Sequence, residues 1–342
     1  MSRLRTWQNR RWSRTRGLLC AAAMAVVAGA AGGQSAPPLQ LVQTIPLPGV
    51  SGRIDHLAVD VAGQRLFVAA LGNNTVEVID LRTESRVHSI TGLHEPQGVA
   101  FVPRVNRLFV ANGGTGALSV FDGTSFSLVN TSKVSGDADN LRYDDARQHL
   151  YVGYGEGSLG IINTKDGKRF GDISLAHHPE SFQLETAGQR IFVNVPNANQ
   201  IAVVDRSTGA VIATWPLREA RANFPMALDE ADQRLLVGFR KPAKLVVFDT
   251  ESGKAVSDLA IAGDADDIFY DRARRRIYIS GGEGFLDIIA QNDRDHYVRA
   301  SQLTTAAGAR TSLFVPEFDR VYLAVPRRDE HSAEIRVYAA RS

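Results

Sequence analysis

At 342 residues, with 44% hydrophobic and 22% charged side chains, the chain is long and apolar enough to bury a large core. Its formal charge of +2 comes from 39 basic and 37 acidic side chains, but residues 1–31 hold six of the arginines and no acid, which leaves a net −4 beyond them. That balance excludes the basic face that nucleic-acid binding needs to displace counterions. The only cysteine, Cys20, lies in the same stretch, so the remainder has neither disulfides nor a thiol nucleophile.

In residues 1–31, Arg3, Arg5, Arg10, Arg11, Arg14 and Arg16 precede the apolar run GLLCAAAMAVVAGAA, which ends on small residues suited to cleavage. The expectation is a signal peptide over 1–31 and a periplasmic or secreted product, since the 15-residue run is shorter than the roughly 20 residues that span a bilayer. No membrane association is expected once it is removed. The export route, general secretory or twin-arginine through Arg10 and Arg11, stays open because Asn9 and Ser13 depart from the usual flanks. Leu19 before Cys20 argues against lipidation.

From residue 39 to 342 the chain reads as one array. A polar pair and an apolar run recur as QRLFVAA from Gln64, NRLFVAN from Asn106, QHLYVGY from Gln148, QRIFVNV from Gln189, QRLLVGF from Gln233, RRIYISG from Arg275 and DRVYLAV from Asp319. The spacings, 42, 42, 41, 44, 42 and 44 residues, match a propeller blade of about four short strands. Two stretches, 136–162 and 263–289, share 15 of 27 residues and read as the same antiparallel meander. The predicted third and fourth strands of six units are joined by turns rich in Asp, Ser, Thr and Gly.

The seventh unit is one strand short, because only Arg341 and Ser342 follow EIRVYAA, while LQLVQTIPL at residues 39–47 stands alone ahead of the first unit. The expected architecture is therefore an all-β, seven-bladed propeller of four-stranded antiparallel blades, with the N-terminal strand completing the last blade and removing exposed sheet edges. The repeats RLFVAALGNNTVEVID and RLFVANGGTGALSVFD resemble the YVTN-repeat seven-bladed propellers, the YncE-like group of exported bacterial proteins. The resemblance covers the array and implies the fold. It leaves function open, since related propellers include binding proteins and several kinds of enzyme.

In a propeller the loops entering the innermost strands converge on one channel rim. By the repeat register they carry Arg53, Asp55 and His56; His94 and Gln97; Asp137 and Asp139; His177, His178 and Glu180; Arg221 and Asn223; Asp264, Asp266 and Asp267; and Arg310. The turns between second and third strands add Glu156 and Glu283. This mostly acidic ring suits a divalent cation, a cationic ligand or a polar small molecule. The alternative is structural, with loop aspartates bonding neighbouring backbone N–H groups. His88, His149, His296 and His331 fall on outer strands, the far rim or a loop, where solvated surface is the expectation.

GEGSLG at 155–160 matches a dinucleotide fingerprint but lies on a hairpin with no following helix. DRSTGAVIATW at 205–215 departs from the quinoprotein blade pattern in its Trp spacing, so no quinone site is expected. Haem, zincin, serine-hydrolase and P-loop motifs are missing. The leading expectation is an exported monomer that binds a small molecule, peptide or protein segment at the rim, without cofactor and without catalysis. The alternative is a metal-dependent, lactonase-like hydrolase using the same rim, with a divalent ion held by His56 and His94, or by Asp139, His178 and Glu180. Opposed blades are expected to lie too far apart to share an ion. On that view the acidic pairs of the third and sixth blades grip two ends of a larger ligand, with Glu156 and Glu283 above them.

Overall fold

The computed structural model describes residues 37–341, so the expected signal peptide lies outside the described residues. The described residues form 28 strands in seven four-stranded antiparallel sheets. Six blades take their strands in chain order, from 57–90, 96–133, 141–174, 182–216, 221–260 and 265–304. The seventh joins three strands of 312–340 to Leu39–Leu47, which pairs antiparallel with Ala333–Ala340 on its outer edge. The innermost strand of the last blade, Ser312–Val315, touches that of the first, Leu57–Asp60, so the ring is closed. The chain is a seven-bladed β-propeller completed by its N-terminal strand.

Burial explains the repeat pattern. Six of the seven second strands, such as Arg65–Ala70 or Arg107–Asn112, are buried at every position after the first because neighbouring blades cover both faces, and the seventh, Arg234–Lys241, is buried up to Phe239. They therefore read as continuous apolar runs rather than alternating ones. Outer strands such as Ser85–Ile90 face solvent and are mostly exposed. Between third and fourth strands, Asp80, Asp122, Asp205 and Asp249 accept backbone N–H bonds from Arg82, Thr124, Ser207 and Ser252 at 2.7–3.0 Å. These local bonds explain the Asp-rich turns.

The apolar core is divided among the seven blade interfaces, one cluster at each. At the closing interface Ile45 and Leu47 pack with Ile335 and Val337 against Leu57, Leu66 and Val68. The near rim of the channel is left largely to polar side chains. At the far end of the channel the inner strands finish on buried carboxylates, and Asp60, Asp144, Asp229 and Asp271 accept the N–H of Gly63, Arg147, Asp232 and Arg274. Those four acids are turn braces. The acids at the near end are placed differently.

Candidate functional site

Each loop entering an inner strand places one side chain at the same register on the near rim. The register is fixed by backbone bonds to the adjoining second strand, from Asp55 N to Ala69 O, Asp139 N to Gly153 O and Glu180 N to Asn194 O. Around the ring these positions are Asp55, Gln97, Asp139, Glu180, Phe224, Asp266 and Arg310, and all seven line one chamber of about 230 Å³. Gly98 permits the close approach of the blade-3 loop, since a Cβ there would lie 2.0 Å from the Asp139 carbonyl oxygen.

Of the residues expected at the rim, Arg53, Asp55, His56, Asp137, Asp139, His178, Glu180, Asp266 and Arg310 meet in this chamber, together with Gln97. His94, Glu156 and Glu283 do not line it and are exposed. The backbone N–H of His94 is bound by Asn112, and Glu283 folds back to accept the Gly263 N–H at 2.9 Å. The arrangement with Glu156 and Glu283 above two acidic pairs is thus not formed, and His94 does not join His56. Asp264 stays just outside, where both its oxygens accept Arg310 Nη1 at 3.0 Å. Asn223 is a buried brace whose amide donates to Asn194, and Arg221 is exposed.

The two near-identical acidic stretches meet different partners. In blade 6, Asp266 lies between Arg240 Nη2 at 2.5 Å and Arg310 Nε at 2.9 Å. Arg240 also stacks 3.9 Å from the centre of the Phe224 ring. In blade 3, Asp139 has no direct ion pair with an arginine: its Oδ1 is 3.6 Å from His56 Nε2, and the Arg142 guanidinium acts on it only from beyond contact. Asp137 accepts Gln97 Nε2 at 3.0 Å and lies 3.6 Å from His178 Nε2. The other ring nitrogen of His178 is 2.7 Å from Gly155 O, an N–H bond that fixes the ring.

Across the channel the blades are linked through a side chain rather than through a shared ion. His56, from blade 1, lies within 3.8 Å of Asp55, Asp139 and Asp267, so a single imidazole bridges blades 3 and 6. His56 also borders a lower chamber of about 370 Å³, lined in part by Arg142, Gln183, Phe269, Tyr270 and Leu313.

Sequence reasoning missed Arg142, Arg240, Phe224, Asn140 and Ser181. Arg142 was findable, because its register in the other inner strands holds Ala58, Ala100, Gln183, Ala227, Phe269 and Leu313, making it the one charge in the set. Arg240 follows the apolar run of its second strand, and only the ring geometry turns it toward Asp266.

Burial raises the carboxyl pKa of Asp55, Asp139, Glu180 and Asp267 above the usual carboxylate range. Burial pushes the Asp139 carboxyl up to about 6, against the pull of His56, with Asp55 adding to the rise. Glu180 is pushed up to about 9 by burial and by Asp139, Asp266 and Asp137, with Arg240 the opposing cation. Asp267 rises to about 7, again through burial. Asp55 is raised by burial despite His56 and Arg53. Burial lowers the pKa of His56, but Asp55, Asp267 and Asp139 outweigh it and leave the imidazole above its ordinary value. The chamber thus sets five carboxyl groups, Asp55, Asp137, Asp139, Glu180 and Asp266, against three guanidinium groups, Arg53, Arg240 and Arg310.

Among the described residues, no three His, Cys, Asp or Glu side chains are arranged to hold one metal ion. Nor is any described helix long and apolar enough to cross a membrane.

No family model matches the chain. It is 23% identical over 216 residues to the uncharacterized protein YncE of Salmonella typhimurium, across 58% of this chain and 60% of that protein. The corresponding protein of Escherichia coli O157:H7 is 26% identical over 180 residues, across 46% of this chain and 50% of its own length. The chain thus spans about 60% or less of the length of these curated relatives. Among solved structures it superposes on a chain of hydrazine synthase from Kuenenia stuttgartiensis with a TM-score of 0.71 at 16% identity, covering 81% of this chain and 95% of that one. A chain of a mitotic checkpoint complex gives 0.76 at 13% identity, with coverage of 96% and 99%. The chain is thus similar to YncE proteins over part of its length, and the structural likenesses speak to the propeller fold alone.

Proposed function

We propose that the chain is an exported binding propeller whose channel mouth holds a small polar ligand, or a short segment of a protein, without transforming it. The observation that carries this reading is the convergence of seven same-register side chains, one per blade, on a single polar chamber at the channel mouth. Nothing in the fold requires that ring to be polar, since the apolar core lies between the blades. A nucleophile beside a base is also lacking there: Ser181 is the only hydroxyl or thiol on the chamber wall, and it accepts a bond from Arg142. The hydrolase alternative needs several ligands on one ion, and His56, His94, Asp139, His178 and Glu180 do not come together for that purpose.

The test is elemental analysis of protein purified without chelators, together with lactone and ester hydrolysis assays. The expected result is no stoichiometric divalent ion and no turnover above background. A bound ion with turnover abolished by Asp139→Asn would replace binding with hydrolysis. Export is checked separately by intact mass of the periplasmic protein, which is expected to begin near Ala31 or Gly32. Cytoplasmic protein of full-length mass would sink it.

A further inference from the structure

Blades 3 and 6 are an internal experiment. Their repeated stretches put Asp139 and Asp266 at one register, 127 residues apart. Asp266 is neutralised from both sides, by Arg240 of blade 5 and Arg310 of blade 7. Counting back 127 residues, Arg240 corresponds to Gly113, and the ring position that follows Asp139 is Glu180 where Asp266 is followed by Arg310. One flanking cation is thus replaced by hydrogen and the other by a further acid.

The blade-3 corner is also short of donors. Asp139 and Asn140 are only 8% and 2% exposed, and Oδ1 of each has neither a hydrogen-bond partner nor an arginine against it among the described residues. Oδ2 of Asp55 and of Asp266 also lacks an aligned hydrogen bond, but each lies within 2.9 Å of an arginine nitrogen. Asp139 and Asn140 both line the chamber. A buried acceptor without a donor costs about 1–3 kcal/mol, and more when it is charged. His56 Nε2, at 3.6 Å from Asp139, is beyond hydrogen-bond distance. A bound group that relieves this corner must bring N–H donors and positive charge together.

We propose that the chamber takes a small organic cation carrying N–H donors, an alkylammonium or alkylguanidinium group, seated between Asp139, Asn140 and Glu180 in the role that Arg240 and Arg310 play for Asp266. The inference rests on the binding function proposed above and names its ligand class. Asp266 and Asp55 already hold arginines, so the cation goes to blade 3. The chamber of about 230 Å³ admits one such group on a short alkyl chain.

Binding should release protons. The groups facing Asp139 are His56, Asp55, His178, Asp266, Glu180 and, farther off, Arg142, and those facing Glu180 are Asp139, Asp266, Asp137 and Arg240. A cation among them favours the ionised carboxylates and the neutral imidazole, so each shift expels protons.

The test is isothermal calorimetry of the mature protein with n-butylammonium, n-butylguanidinium, tetramethylammonium, 1-butanol, n-butyrate and calcium chloride. The expected result is binding of the two N–H cations only, weakened at least tenfold by Asp139→Asn and by Glu180→Gln. The apparent enthalpy at pH 7 should depend on the ionisation enthalpy of the buffer, a readout from unsubstituted protein that stands even if a variant misfolds. Equal binding of tetramethylammonium, binding of calcium alone, or no binding of any probe overturns the proposal. Binding of butyrate or butanol alone overturns the ligand class while leaving the binding function in place, whereas hydrolysis would overturn the function itself.

Discussion

Residues 136–162 and 263–289 share 15 of 27 positions and fold into the same meander, yet one is a brace and the other an open corner. In blade 6 the loop acids are locked to Arg240 and Arg310, which tie the blade to both its neighbours. In blade 3 the same acids face His56, His178, Gln97 and Glu180. The lesson is that a loop motif does not carry its own role. What decides between structure and binding is the charge that adjacent blades present to it.

The largest expected effect is on the brace. Asp266→Asn leaves two partly buried guanidinium groups without their shared carboxylate, and breaking a buried pair from one side costs about 3 kcal/mol or more, reduced here to about 2–3 kcal/mol by partial exposure and by Asp264. A thermal melt should fall by several degrees. An unchanged melt would mean that Asp266, too, is free for a ligand.

Next is the converse substitution. Glu180→Arg gives blade 3 the neighbour that Arg310 provides in blade 6, so it should stabilise the fold by about 1 kcal/mol, since each unit by which the Asp139 pKa falls is worth about 1.4 kcal/mol before solvent screening. It should also abolish cation binding. A destabilised variant would show that the two corners differ in more than charge.

A third expectation concerns pH. Asp139 at about 6, Asp267 at about 7 and Glu180 at about 9 all lie above their ordinary values of 3.8, 3.8 and 4.5. Each binds more protons folded than unfolded across its window, so its contribution to stability declines as pH rises through that window. His56, raised above 6.5, contributes stability that is complete below 6.5 and is lost as pH rises through its folded pKa, the same direction. Asp249, lowered to about 2, acts only below about pH 4. The melting temperature should therefore drop between pH 5 and pH 8, with a shallower slope in Asp139→Asn/Glu180→Gln. An equal slope in the double variant would place the titration elsewhere.

The smallest effect is expected for Asp139→Asn alone. Replacing this buried carboxyl by a neutral amide should leave stability nearly unchanged near pH 4, where the folded protein holds Asp139 protonated, and should shift it in the stabilising direction at pH 8. Equilibrium denaturation at both values would measure it, and a loss matching that of Asp266→Asn would erase the contrast between the blades.

The architecture was legible in the residues because each blade writes its own signature locally. A second strand covered on both faces must be apolar throughout, the Asp-rich turns bond their own backbone, and the missing strand of the last unit is matched by the one spare strand, Leu39–Leu47. The rim was legible only as a set of loops. Nine of the thirteen expected site residues converge, while Asp264 is held just outside and His94, Glu156 and Glu283 turn to solvent or backbone.

What the sequence by itself determined was seven blades, their closure and one register of inward-facing loop residues, all consequences of a period near 42 residues and of local hydrogen bonding. Only the tertiary structure decided which acids remained without a cation. Arg240 and Arg310 reach Asp266 from two other blades, and His56 reaches Asp139 and Asp267 from a third. Such contacts depend on the width of the channel and the angle between blades, quantities that are set when the ring closes and that no single repeat contains.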